Sequence, residues 1–162
     1  MRVGQGFDVH RFDDERGDFE IKLGGVAIPH DRRIIAHSDG DVVIHALCDA
    51  LLGALALGDI GQHFPDTDPA YRDADSRQLL RSVTGLVKTG GFQLGNADIT
   101  IIAERPRVMN YSDRMRAVLS EDMGADISQV SIKATTTEKA GFLGREEGIA
   151  AQAVVLLMRL VP

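Results

Sequence analysis

Apolar and polar positions repeat along this chain with two different periods. From Val42 to Leu57 the residues are nearly all apolar, with Ala and Leu dominating, which predicts a buried helix stopped by the Gly58-Asp59-Ile60-Gly61 turn. Polar residues open that helix, and Ser38 or Asp39 is the expected N-cap. A second helix runs from Arg77 to Thr89 with Ser76 as its cap. It carries Leu79, Leu80, Val83, Leu86 and Val87 on one face, and Gly90-Gly91 ends it. A third spans Ser112 to Met123 and closes at Gly124. Strand patterns cover Met1 to His10, a hairpin from Glu20 to Ile28 that turns at Gly24-Gly25, Phe92 to Ala103, Val130 to Thr137, and Gly148 to Leu160.

This order predicts an α+β fold, a mainly four-stranded mixed sheet with helices on one face. No helix remains to cover the other face. The last strand is apolar on both faces, so it is expected to be buried on both, with a partner subunit as the cover.

The 162 residues make up one expected domain, 1–162. A hydrophobic fraction of 44% is ordinary for a globular chain, and a net charge of −6 argues against nonspecific nucleic-acid binding. A single cysteine, Cys48, excludes an internal disulfide and reads as a small buried hydrophobe. The start lacks an apolar signal-peptide core, and no apolar run approaches the roughly 20 residues that span a bilayer. The expectation is an unprocessed cytoplasmic protein away from the membrane.

Ionisable residues stand in two of the apolar elements. Asp41, His45 and Asp49 are four apart, one turn above another on a single helix face. Either they satisfy one another on a half-buried helix, or His45 is a metal ligand with Asp49 accepting from its second ring nitrogen. Asp8 and His10 are two apart on a strand and share a face. Joined with His45 they make one carboxylate and two imidazoles, a zinc ligand set typical of a catalytic site with one position open. The run Lys133-Ala134-Thr135-Thr136-Thr137-Glu138-Lys139 is either β-branched strand filler or a phosphate cradle, and the turn Glu104 to Arg107 is a second candidate phosphate or base site. There is no Walker A loop and no Ser-His or Cys-His nucleophile arrangement.

Six motifs in order carry a resemblance: GFDVH at Gly6–His10, AHSDGD at Ala36–Asp41, GDIG at Gly58, FPDTD at Phe64, ATTTEK at Ala134, and GF-x-GR-x-EG ending at Gly148. Over essentially its full length the chain resembles the 2-C-methyl-D-erythritol 2,4-cyclodiphosphate synthase family of the non-mevalonate isoprenoid pathway. The resemblance implies a homotrimer whose sheets face the trimer axis, with active sites between neighbours. It implies a phosphorus-oxygen lyase acting on 4-diphosphocytidyl-2-C-methyl-D-erythritol 2-phosphate. The 2-phosphate attacks the β-phosphorus, CMP leaves, and the cyclic diphosphate forms.

By the same resemblance Asp8, His10 and His45 hold zinc, Glu138 helps hold magnesium or manganese, and His37 and Thr136 stabilise the transition state. Substrate contacts fall on Asp8, Val9, His10, His37 and Ser38. Asp59, Ile60, Gly61, Phe64, Pro65, Asp66, Thr67 and Asp68 line the methylerythritol pocket. Ala103, Glu104, Arg105, Pro106, Val108, Met109, Thr135, Thr136, Thr137 and Glu138 line the cytidine diphosphate pocket. Arg107 joins them where the family commonly has Lys, which keeps the charge and changes its geometry. Phe142 and Arg145 are binding positions too, and with Glu147 they surround an axial cavity that can take an isoprenoid diphosphate. Gln5 stands where some members have His. Two rival readings use the same residues: a metal-dependent phosphohydrolase acting on a nucleotide diphosphate, and a non-catalytic trimer that binds isoprenoid diphosphates.

Overall fold

The computed structural model describes residues 1–65, 67–68 and 74–160. Strands β1 (Arg2–Phe12), β2 (Phe19–Leu23), β3 (Val26–His30) and β4 (Ile34–Ile35) lead into helix α1 (Val42–Leu55). There follow α2 (Ile60–His63), α3 (Ser76–Thr89), β5 (Phe92–Ile102), α4 (Ser112–Met123), β6 (Val130–Thr135), α5 (Gly141–Gly144) and β7 (Gly148–Arg159). Among the described residues the strands form a five-stranded sheet in the order β4-β1-β7-β5-β6, and β2 pairs with β3 apart from it. Only β5 and β6 run parallel within these pairings, so the sheet is mixed, as the α+β reading expects. The expected four strands are the long ones. The fifth, β4, is two residues at the edge of β1, too short to show an alternation in sequence.

The helices pack on one sheet face. Helix α1 lies over β1 and β7, and α4 lies against β6. Beneath them sit Ala151, Ala153 and Val155 of β7, Ala97, Ile99 and Ile101 of β5, and Val130 and Ile132 of β6, all buried. Helix α3 is fastened to α4 by Asp122, whose carboxylate takes Arg77 Nε at 2.7 Å, Arg77 Nη2 at 2.9 Å and Arg81 Nη1 at 2.7 Å. The opposite sheet face is open in the single chain. Val3 is 67% exposed and Phe7 52%, and Val9 and Val154 are 40% exposed beside them. The last strand is buried on both faces as far as Ala151, and from Gln152 onward it is covered on one side only within this chain.

Two carboxylate caps differ from the sequence expectation. Asp41, and not Ser38 or Asp39, caps α1: its Oδ1 accepts from the N–H groups of Val43 at 3.2 Å and Ile44 at 3.1 Å. The same carboxylate accepts from Gly24 N at 2.8 Å and Gly25 N at 2.6 Å, so it also holds the β2–β3 turn. Both glycines have positive φ, the conformation a tight hairpin turn requires. Likewise Asp75 caps α3, and Ser76 is its first helical residue. Helix α1 stops at Leu55 with Ala56 in a left-handed cap, two residues before the expected end.

Strand β1 and α1 touch backbone to backbone. A Cβ placed on Gly4 would stand 1.9 Å from the Ala50 carbonyl oxygen, and one on Gly6 would stand 2.0 Å from that of Ala46. Only glycine fits such an approach. We expect Gly6→Ala to cost about 3 kcal/mol, the upper range for overpacking a rigid contact. The check is a lower urea midpoint at unchanged slope; an unchanged midpoint would refute the contact.

Candidate functional site

The β1–α1 approach places three side chains together. Asp8 and His10 point from β1 toward α1, and His45 points back from α1. Asp8 Oδ2 lies 2.9 Å from His10 Nε2 and 3.1 Å from His45 Nδ1, and the two ring nitrogens are 3.1 Å apart. A tetrahedral ion about 2.0–2.1 Å from each ligand would set them roughly 3.3–3.4 Å apart, so this triangle is nearly of that size. These three side chains are the one group among the described residues able to hold a metal ion. Asp8 Oδ1 is turned away and accepts from Val9 N at 2.8 Å, leaving Oδ2 for the site.

The electrostatics follow from burial opposed by pairing. Burial alone would raise the Asp8 carboxyl, but hydrogen bonds and charge from His10 and His45 outweigh it and hold it well below the usual carboxylate range. Burial pushes His45 down, while Asp8 above all, with Asp41 and Asp39, pulls it above the ordinary histidine value.

The expected Asp49–His45 bond is not the one made. Asp49 Oδ1 accepts from Ile60 N at 2.7 Å, which ties α1 to the start of α2. Burial, the largest influence, raises the Asp49 carboxyl. The second nitrogen of His45, Nε2, meets Ser76 Oγ at 2.9 Å and Ser38 Oγ at 3.3 Å. A four-residue spacing puts Asp49 on the right helix face, but its own turn and the neighbouring loop decide which donor it meets.

Beside the triad a cavity of about 180 Å³ is lined by His10, His37, Ser38, His45, Ile60, Gly61 and Phe64, with Ala74 and Leu79. Asp59 caps α2 and accepts from Gln62 N at 3.0 Å, so it faces the helix end. Pro65, Thr67 and Asp68 are not among the cavity's lining residues, and Asp66 lies outside the described residues. A larger cavity, about 600 Å³, lies at the ends of β5 and β6. Its walls include Ala103, Glu104, Pro106, Arg107, Val108, Met109, Thr135 and Thr136, with Ala134 of the same threonine run and with Asn110, a residue not singled out from the sequence. Arg105 instead lines a neighbouring hollow with His30 and Asp31.

The loop after β6 is held by one carboxylate. Glu104 Oε1 accepts from Thr137 N at 3.0 Å, Thr137 Oγ1 at 3.2 Å and Lys139 N at 3.2 Å. Lys139 N chiefly, then Thr137, keeps the Glu104 carboxyl below its ordinary range. Within this turn Glu138 and Lys139 both adopt positive φ, and Thr136 Oγ1 donates to Glu138 Oε1 at 2.7 Å. Phe142 is exposed on α5. Arg145 Nε donates to Glu147 Oε1 of the same chain at 2.6 Å, so these two residues pair within one chain.

Residues 1–158 match the model of the YgbB family. The chain belongs to the YgbB family. Among its YgbB relatives, the 2-C-methyl-D-erythritol 2,4-cyclodiphosphate synthase of Pseudomonas putida is 60% identical over 158 residues, 98% of this chain and 99% of that one. The fold matches the bifunctional IspDF of Campylobacter jejuni with a TM-score of 0.92 at 42% identity, over 98% of this chain and 42% of that longer one. A CDP complex of IspF from Plasmodium falciparum superposes with a TM-score of 0.86 at 34% identity, over 99% of this chain and 97% of that one. Asp8, His10 and His45 could hold a metal ion, and membership of the family supports a divalent one.

A protonated His45 has no lone pair at Nδ1 for a metal. Because Asp8 raises the His45 pKa, metal and proton compete up to a higher pH than an ordinary histidine would allow. Apparent metal affinity is expected to fall about tenfold per pH unit below that pKa and to level off above it. Chelator competition across the neutral range checks this, and a flat profile would remove His45 from the ligand set.

Proposed function

We propose that the protein is a 2-C-methyl-D-erythritol 2,4-cyclodiphosphate synthase, a lyase of the non-mevalonate isoprenoid pathway. It converts 4-diphosphocytidyl-2-C-methyl-D-erythritol 2-phosphate to the cyclic diphosphate and CMP. The observation that carries this reading is the Asp8, His10 and His45 triangle in a chain that matches synthases of that name along nearly its full length. The domain is then the whole of residues 1–162.

Zinc is the ion proposed at the triad, since two imidazoles and a carboxylate suit it and leave a position open. Glu138, beside a threonine run, suits magnesium or manganese, which take oxygen ligands and substrate phosphates. When bound, such cations offset charge on phosphoryl oxygens. The remaining work belongs to the chain. The cavity between Ala103 and Thr136 is the proposed cytidine diphosphate pocket, with Arg107 as its cation. The cavity around His37, Ile60 and Phe64 is the proposed methylerythritol pocket. His37 and the Thr136 hydroxyl are the proposed donors to charge that develops at phosphorus. Nucleophile and electrophile lie in one molecule, so holding the substrate folded supplies much of the acceleration and no protein nucleophile is required.

The two cavities suggest how subunits take part. Between β1 and β6 lie three strand spacings, about 14 Å. A site joining the triad to a nucleotide pocket is readily completed by a neighbouring copy. The apolar open face bearing Val3, Phe7 and Val9 supports the same assembly, a homotrimer with sheets facing the axis. Phe142, Arg145 and Glu147 would then surround an axial cavity for an isoprenoid diphosphate, although Arg145 already has an anionic partner in Glu147. A cytoplasmic setting is proposed as well; among the described residues no helix is long and apolar enough to cross a membrane.

The decisive assay is CMP release with formation of the cyclic product; a linear monophosphate would indicate the phosphohydrolase. Glu138→Gln is expected to keep the triad metal and to lose on the order of 10²-fold in turnover, with a weakened magnesium dependence. Loss of the triad metal in that variant, or wild-type turnover, would reassign Glu138. Light scattering is expected to give three times the chain mass, and a monomer at micromolar protein would refute the assembly.

A further inference from the structure

Behind the metal triangle runs a buried chain of hydrogen bonds that ends on a carboxylate. His45 Nε2 is 2.9 Å from Ser76 Oγ, and Ser76 Oγ is 2.5 Å from Asp39 Oδ1. Ser76 is fully buried, and the side chains of His45 and Asp39 are each 12% exposed. Water therefore has little room to replace any link. Asp39 also accepts from Ser76 N at 3.2 Å through Oδ2, so it grips the first residue of α3 by hydroxyl and backbone together. Asp41 N at 3.3 Å and Lys22 Nζ at 3.5 Å complete its surroundings.

Proton counting orders this chain. An ionised carboxylate only accepts, and a serine hydroxyl carries one proton. That proton goes to Asp39, so Ser76 Oγ meets His45 as an acceptor. Nε2 must then carry hydrogen, and in the neutral ring the lone pair is left on Nδ1, facing Asp8 and His10. Ser38 Oγ, at 3.3 Å, is the weaker neighbour and already accepts from Gly40 N. A metal-binding histidine commonly has its other nitrogen held this way. Here a serine extends the reach of a carboxylate that stands on a different segment.

We infer that Asp39 and Ser76 are positioning residues for the metal centre, setting the tautomer and ring orientation of His45 and linking the site to the start of α3. This rests on the reading that the triad holds a divalent metal. Neither residue need touch substrate to act in this way.

The test uses the purified full chain with zinc(II) and with cobalt(II) as a visible probe. Ser76→Ala is expected to fold like wild type, to bind zinc about 10- to 100-fold more weakly by chelator competition, and to shift the cobalt(II) absorption bands. Asp39→Asn keeps the shape but not the charge, and is expected to weaken binding in the same direction. Ser82→Ala removes an exposed hydroxyl from the same helix, one that donates to Gln78 O, and is expected to bind like wild type. Unchanged affinity and spectrum in Ser76→Ala would overturn the inference, as would an equal loss in Ser82→Ala. Should Ser76→Ala fail to fold, Asp39→Asn decides by the same two readouts. A wild-type protein that binds neither metal would instead overturn the metal-site reading itself.

Discussion

The backbone approach of β1 to α1 is the constraint on which the site depends. Helix and sheet normally meet through side chains. Here Gly4 and Gly6 let the strand backbone rest against the carbonyls of Ala50 and Ala46, with Ala54 alongside. The next two residues in the same strand phase are Asp8 and His10, which emerge where the helix carries His45. Three ligand atoms within 3.1 Å of one another tolerate little displacement, and a larger residue at Gly6 would move the strand by more than that tolerance. A glycine pair without evident chemistry thus sets the geometry of the chemical residues beyond it.

Carboxylates do several kinds of work in this fold, and their neighbours decide which. Asp41 is fully buried and faces four backbone N–H groups, so it joins a hairpin turn to a helix start. Glu104 does a similar task at the surface, gathering the Thr137 and Lys139 amides into the turn that presents Glu138. Asp122 pairs with two arginines. Asp8 meets two imidazoles, a set that could hold a cation. A net charge of −6 is compatible with binding a polyanion, because several of the acids are already committed to backbone amides or arginines.

Much of this was legible in the residues alone. The long strands, the three principal helices and the Gly24-Gly25 turn follow from period and turn chemistry, which depend only on neighbours along the chain. The same is true of the shared face of Asp8 and His10, and ordered motifs carried the family. Tertiary structure alone decided which carboxylate met which donor. Asp41 caps where Ser38 or Asp39 was expected, since the hairpin turn brings it two more amides. Asp49 turns to Ile60, while Ser76, read only as a cap, stands behind His45. Arg145 finds Glu147 in its own chain. Strand period and helix phase fix the direction of a side chain to a face, but a hydrogen bond is fixed to a few tenths of an ångström by segments distant in sequence, and those distances exist only once the core has packed.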